Sequence, residues 1–363
     1  MKRIAIFILL GLPIIFSCSP GEAKEKIIIT DLEKRRVEVP LDPERIICLG
    51  PGSLRLICYL GQTKKVVGVE AFEKTRPVGR TYLHGYPELA KLPPIGPGGP
   101  AGINKEPDLE AVLKVNPQLI FAANMETGVA EGLQSKLGIP VVILSYGGFA
   151  TFDEIVFDSL RLAGKILNAE SRAEELIIYI QKTRQELLNK TKGAVEENKP
   201  RVYIGGIGYR GTQGIESTDA SYFPLDWVRA NNLAKEGGKK GHLFVEKEKI
   251  LAWNPDLIFI DGGGWRNIQQ DFQKKPEFYR QLQAFQNQKV FLLFPYNWYV
   301  TNIDTALADA YAAGKILYPQ RFADLDLQKK ADEIYSFLLG KPVYYQMEKE
   351  FGQLGGKLNF GQK

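Results

Sequence analysis

The sequence predicts an α/β protein of two similar lobes, each built on a parallel sheet, joined by a single long helix. Three observations lead there. Short apolar runs alternate with helix-like segments over residues 45–144 and again from residue 201 onward, which is the pattern of a parallel sheet with helices on its faces. From Phe152 to about Lys192 the chain reads as almost continuous helix with no strand to match it, as expected of a rigid connector. The third observation is an internal echo. Glu110-Ala-Val-Leu-Lys-Val-Asn116-Pro117-Gln-Leu-Ile-Phe121 and Glu248-Lys-Ile-Leu-Ala-Trp-Asn254-Pro255-Asp-Leu-Ile-Phe259 share one plan at identical spacing, a helix, an Asn-Pro break and a strand. Proline cannot continue a helix and pushes its predecessor out of the helical region, so each break ends a helix just before a sheet strand. A length of 363 residues suits two domains.

Taken in order, Lys2 and Arg3 precede an apolar run from Ile4 to Phe16, and Ser17-Cys18 follows. This reads as a signal peptide over residues 1–17. At about thirteen residues the run is short of the roughly twenty that span a bilayer. Ile15-Phe16-Ser17-Cys18 resembles a lipobox, so Cys18 is expected to be acylated, with residues 18–26 as a polar tether. Residues 27–39 alternate around a turn at Asp31 to Lys34 and suggest a hairpin. Arg45 to Leu49 is a buried strand, and Ser53 is placed to cap a helix over Leu54 to Leu60 that Gly61 closes. Val66 to Val69 is the next strand, residues 70–105 form a long Gly- and Pro-rich loop, and helices at 108–115 and 127–137 alternate with strands at 119–123 and 140–144. The connector is interrupted near Asn168 to Ser171, with Ser171 as the N-cap. Strands at 201–205, 257–261 and 290–294 and helices near 225–230, 246–253, 276–284, 304–317 and 326–339 make the second lobe. The resulting division is 27–150 for the first lobe, 151–199 for the connector and 200–363 for the second.

Composition narrows the function. The chain is 44% hydrophobic and 25% charged, an ordinary globular balance. Without Lys2 and Arg3 it carries 45 basic and 42 acidic residues, a net +3 with no clustered basic stripe, so nucleic acid is not an expected partner. Cys48 and Cys58 fall on a strand and the helix after it and are expected as two buried thiols. With only His84 and His242, a histidine-based zinc site is not expected, and no resident metal or cofactor is. HExxH, Walker A, GxSxG and CxxC motifs are missing. Gly206-Ile-Gly208-Tyr-Arg-Gly211 fits GxGxxG and follows a strand, but a polar loop follows where a dinucleotide site needs a helix.

The loops at the carboxyl ends of the strands carry glycine, aromatics and arginine, and open α/β sheets bind ligands there. In the first lobe these are Ser53, Arg76, Arg80 and Tyr82. Opposite them stand Tyr209 and Arg210, Trp265 and Arg266 in a glycine loop, and Trp298 and Tyr299. Aromatic faces supply apolar and cation–π contact, while arginines and glycine-loop amides bind anionic oxygens, so the expected ligand is compact and anionic or oxygen-rich.

The hairpin ending at Pro40, Pro43-Glu44-Arg45-Ile46-Ile47, Val66-Val67-Gly68-Val69, Pro107-Asp108-Leu109-Glu110 and Leu137-Gly138-Ile139-Pro140-Val141-Val142 resemble the extracytoplasmic solute-binding proteins of iron-siderophore, haem and cobalamin ABC importers, some of which bind molybdate or tungstate. The resemblance covers residues 27–340. It implies two Rossmann-like lobes, small closure on ligand, and a lipid-anchored monomer outside the cytoplasm that is not an enzyme and delivers a solute to an ABC permease and its ATPase. It further implies that Glu110 and Glu248 pair with permease arginines, and it matches Trp298 to the position of a tryptophan in the cobalamin binder. The expected solute is an iron complex of siderophore type; a molybdate-type oxyanion or cobalamin is the alternative within the class, and a chelate-processing enzyme the alternative outside it.

Overall fold

A computed structural model describes residues 25–75, 78–148, 152–194 and 199–360. The leader, Cys18 and Arg76 lie outside the described residues. The strands are β1 (Lys26–Thr30), β2 (Arg36–Pro40), β3 (Ile46–Leu49), β4 (Val66–Gly68), β5 (Leu119–Ala123), β6 (Val141–Leu144), β7 (Arg201–Gly205), β8 (Ser217–Asp219), β9 (Asn231–Asn232), β10 (His242–Phe244), β11 (Leu257–Asp261) and β12 (Val290–Leu293). Strands β1 and β2 pair as the expected hairpin. The first sheet runs β4-β3-β5-β6 and the second β9-β7-β11-β12, both parallel. The two orders are the same once β3 is set against β7, so the lobes share one topology as well as one local motif. Strands β3, β5, β6 and β11 are buried along their whole length, which is why they read as unbroken apolar runs.

The echo has a sharper cause than the proline alone. Asn116 and Asn254 adopt left-handed backbone, with φ of 44° and 41°. Asparagine tolerates that region better than most residues and turns the chain out of helices Leu109–Lys114 and Lys247–Trp253. The proline that follows keeps the helix from resuming.

The β6 edge of the first sheet and the β12 edge of the second are covered. On β6, the amide of Leu32 donates to the Ile143 carbonyl at 3.2 Å and the Arg35 guanidinium to the Val141 carbonyl at 2.7 Å. On β12 the C-terminal segment does the same work, with Leu292 donating to Gly356 and Leu358 to Val290, each at 2.9 Å. These contacts use up backbone groups that would otherwise invite pairing with another chain.

The connector is helix Ile155–Ile166 followed by helix Glu170–Lys190, whose 21 residues reach about 30 Å. It buries Ala173, Leu176, Ile177, Ile180 and Leu187. Several expectations need correction. Ser171 lies inside the helix that starts at Glu170 and is not its cap. Gly52, with φ of 82°, occupies the cap position before helix Ser53–Tyr59, and the Ser53 hydroxyl instead donates to the Phe121 carbonyl at 3.1 Å. Residues 70–105 are not structureless, since they contain helices Ala71–Thr75 and Thr81–Gly85 and short 3-10 turns. Trp265 and Arg266 open helix Trp265–Lys274 where a loop was expected. The antiparallel pair β8/β10 and helix Tyr344–Phe351 were not anticipated.

Helices Ile303–Leu317 and Leu327–Leu339 reach back toward the first lobe. The Tyr86 hydroxyl donates to the Leu339 carbonyl at 2.7 Å, and Arg172 bridges the carbonyls of Tyr59 and Phe337. Cys48 and Cys58 are free and buried. No helix among the described residues is long and apolar enough to cross a membrane.

The second lobe also buries carboxyl groups without cations beside them. Asp261 accepts the Gly263 amide at 2.8 Å through one oxygen, and burial pushes its pKa up to about 8; burial raises Asp309 as well. Such an acid holds its proton in the folded chain over a range where the unfolded chain has lost it, so stability is greatest at low pH and declines as pH rises from about 4 to about 8. Urea unfolding at pH 5 and pH 8 is expected to show a loss on the order of 3 kcal/mol from this group, and Asp261→Asn to flatten that slope. An unchanged slope in the variant would contradict the assignment.

Candidate functional site

The carboxyl ends of both sheets open onto one cleft of about 630 Å³. From the first lobe Pro51 follows β3, Asn124 follows β5, and Tyr146, Gly147 and Gly148 follow β6. Phe72, from helix Ala71–Thr75, adds an aromatic face. Across the cleft stand Gly208, Arg210, Gly211 and Thr212 after β7, and Asn297 to Val300 after β12. Arg210 is the one charged residue among the described residues that line this cleft, and the rest of the wall is mostly apolar or backbone.

The wall from Trp298 to Val300 is an improbable turn held by force of hydrogen bonding. Tyr299 and Val300 both have positive φ, 58° and 67°. For a β-branched residue this is strained, and it persists only where surroundings over-determine it. Arg55, fully buried in helix Ser53–Tyr59 of the first lobe, donates to the carbonyls of Trp298 at 3.1 Å, Tyr299 at 2.9 Å and Thr301 at 3.0 Å. Asn302 donates to the carbonyls of Tyr296 at 2.9 Å and Trp298 at 3.1 Å. The guanidinium lies over the rings of Tyr82 and Tyr146, 5.0 and 5.9 Å from their centroids. A first-lobe side chain thereby shapes the second-lobe wall.

A second bridge crosses beside it. The Tyr299 hydroxyl donates to Glu70 at 2.7 Å and accepts the Gly99 amide at 3.0 Å, while Glu70 also accepts the Gly50 amide at 3.1 Å. Burial raises the Glu70 pKa to about 7 against the lowering effect of these donors. Behind it Glu73 pairs with Arg80 and accepts the Tyr82 hydroxyl, and Arg80 lies 4.6 Å from the Phe72 ring centroid. The Phe72 and Tyr299 rings are 4.8 Å apart.

Of the residues singled out in the sequence, Arg210, Trp298 and Tyr299 face this cleft. Tyr209 lines an adjoining cavity. Ser53, Arg80 and Tyr82 are fully buried and support the wall from behind. Trp265 packs its ring on Phe360, and neither it nor Arg266 is among the residues lining the cleft. Glu110 and Glu248 are exposed, each in the first turn of its helix. Sequence reasoning missed Arg55, Glu70, Phe72, Tyr146 and Asn302. Only Arg55 left a signal, an arginine set among Leu54, Leu56 and Ile57 in a helix with no other charge.

The described residues include no cluster of three His, Cys, Asp or Glu side chains able to hold a metal ion. What the cleft offers is aromatic surface, one guanidinium, and amide and hydroxyl groups from Asn124, Asn297 and Thr212. Groups of this kind are able to bind and orient a ligand.

The family described as "Periplasmic binding protein" matches residues 46–296. The molybdate-binding protein MolA of Haemophilus influenzae is 27% identical over 339 residues, covering 85% of this chain and 89% of that protein. The petrobactin-binding protein YclQ of Bacillus subtilis is 22% identical over 321 residues, covering 83% and 94%. The solved structure of MolA bound to molybdate superposes with a TM-score of 0.69 at 23% identity, covering 87% of this chain and 98% of that one.

The Arg55 bridge is testable directly. Arg55→Leu leaves the Tyr299 and Thr301 carbonyls without a donor, while Asn302 still serves Trp298, and urea unfolding is expected to show a loss of about 2–4 kcal/mol. Arg55→Lys keeps the charge but cannot reach three carbonyls at once, and is expected to lose less. A leucine variant as stable as the parent would refute the bridge.

Proposed function

The chain belongs to the periplasmic binding protein family, and from that premise we propose that it is the substrate-binding lipoprotein of an ABC importer, capturing an anionic metal chelate of siderophore type between its lobes. The observation that carries the choice of ligand is the cleft itself. At about 630 Å³, walled by Phe72, Tyr146, Trp298 and Tyr299 and carrying Arg210, it has the size and surface of a site for an organic ligand with negative charge. A bare tetrahedral oxyanion would fill a small part of it. Burial of ligand carbon against the rings supplies affinity, and the guanidinium selects for charge.

A second reading keeps the same role with a molybdate-type oxyanion as solute. It is favoured by the 27% identity to a molybdate-binding protein. Equilibrium dialysis against ferric chelates and against molybdate, followed by metal analysis, separates the two. Retained iron chelate is expected, with Arg210→Glu reducing its affinity about tenfold. Retained molybdenum with no iron chelate would reject the leading reading.

Delivery follows from the surface. Glu110 and Glu248 stand exposed on helices that occupy equivalent places in two lobes of like topology, so they present two like charges to a partner with matching cations. In this reading they dock the ABC permease, and Cys18 carries the lipid that holds the protein at the outer face of the membrane through a tether that ends before Lys26, the first residue of β1. Reversing both glutamates to lysine is expected to abolish uptake in cells while leaving ligand affinity unchanged in vitro. Uptake that survives the double reversal would remove the docking assignment.

A further inference from the structure

Two exposed glutamates hold a partner only weakly by themselves. An exposed ion pair contributes at most about fivefold to an association constant, and two of them fall far short of what even a micromolar complex requires. Docked surfaces gain the remainder by covering apolar and aromatic groups. The surface beside Glu110 and Glu248 supplies one such group on each lobe.

Leu113 lies three residues after Glu110 in helix Leu109–Lys114, so the two share a face of that helix, and its side chain is 54% exposed. Its neighbour Val112 is fully buried in the first-lobe core and holds the helix in place. The echo puts Leu251 three residues after Glu248, but that leucine is half-buried and packs against the second-lobe core. Phe244 takes the outward place instead. Leu243 and Val245 turn inward, and the alternation of β10 sends Phe244 out, 57% exposed. Four residues separate it from Glu248, a reach of at most about 14 Å. Its ring meets those of His242 at 5.0 Å and Tyr209 at 6.1 Å, edge to face in both cases. Such packing fixes the ring before a partner arrives, so little ordering is lost on contact.

We infer that Leu113 and Phe244 are the apolar anchors of one docking face whose acids are Glu110 and Glu248, and that its occupant is the extracytoplasmic surface of the ABC permease, offering each lobe a cation beside an apolar socket. This rests on the docking reading above. The chemistry of the face disfavours other occupants. Two copies of this chain meeting patch to patch would set glutamate against glutamate, and anionic lipid headgroups would repel the same carboxylates. Lys249, next to Glu248 in sequence, lies over the Trp253 ring at 5.4 Å, and neither glutamate forms an ion pair among the described residues.

The test titrates protein carrying Cys18→Ser, so that no lipid contributes, onto the ABC permease of the same host in lipid nanodiscs. Phe244→Ser and Leu113→Ser are each expected to weaken binding about five- to tenfold, and Phe244→Leu, which keeps most of the apolar area, to weaken it less. Ile178→Ser removes a side chain 47% exposed on the connector and is expected to change binding less than about twofold. Thermal unfolding of each variant is expected to match the parent, because these side chains are exposed in the free chain. If the serine variants bind like the parent while Glu110→Lys with Glu248→Lys abolishes binding, the anchors are wrong and the docking reading stands. If the double reversal binds like the parent, or the parent does not bind, the docking reading fails and this inference with it. Equal binding to nanodiscs without permease would assign the face to lipid and overturn the inference.

Discussion

A buried arginine of one lobe holds the cleft-facing turn of the other. Arg55 has no carboxylate partner within salt-bridge distance among the described residues. Its charge is met by three main-chain carbonyls and by the faces of two tyrosines. Such an arrangement is costly to disturb, because losing the donor strands the buried Thr301 carbonyl and the half-buried Tyr299 carbonyl at once. It therefore fixes the position of Trp298 and Tyr299 relative to the first lobe more firmly than a flexible linker between lobes could. The connector helix, Arg172 and the Tyr299–Glu70 bridge act in the same direction. A two-lobed protein joined this way presents a cleft that is largely formed before the ligand arrives, so less ordering has to be offset by binding.

Strain and polarity are concentrated where the ligand is expected. Arg210, Tyr299 and Val300 all adopt left-handed backbone at the cleft. Strained non-glycine residues cluster at functional sites because only a rigid surround keeps them there. The buried acids Asp261 and Asp309 sit under the cleft loops at the carboxyl ends of β11 and β12, where the Asp309 carboxyl accepts the Phe294 amide at 2.9 Å. They help set the loops above them but have no cation beside them among the described residues, which ties the stability of that lobe to pH rather than to salt.

Local features were legible from the sequence and long-range ones were not. The spans 119–123, 201–205 and 257–261 matched because buried parallel strands are short unbroken runs of apolar residues bounded by turns. The paired Asn-Pro breaks revealed two lobes of one plan because helix termination is a local matter of two residues. Helix Trp265–Lys274 was missed because the three glycines before it read as a loop, although Trp265, Ile268 and Phe272 at i, i+3 and i+7 carry the helical period. Arg80 and Tyr82 looked like ligand contacts and turned inward because Glu73 stands beside them in the fold. Nothing in the composition of that loop announces which arginine finds an acid. Arg55 illustrates the same limit at greater separation, its partners lying more than 240 residues away.

The central claim is that a pre-formed cleft between two bridged lobes holds an anionic chelate. A crystal structure of the protein purified from its own host, with whatever it has retained, tests this most directly. The account predicts ligand density between Arg210 and the rings of Trp298 and Tyr299, with Arg55 still bound to its carbonyls and the backbone of the turn displaced by less than about 1 Å. Ligand bound away from this cleft, or lobes that have swung apart with the Arg55 bridge broken, would contradict it.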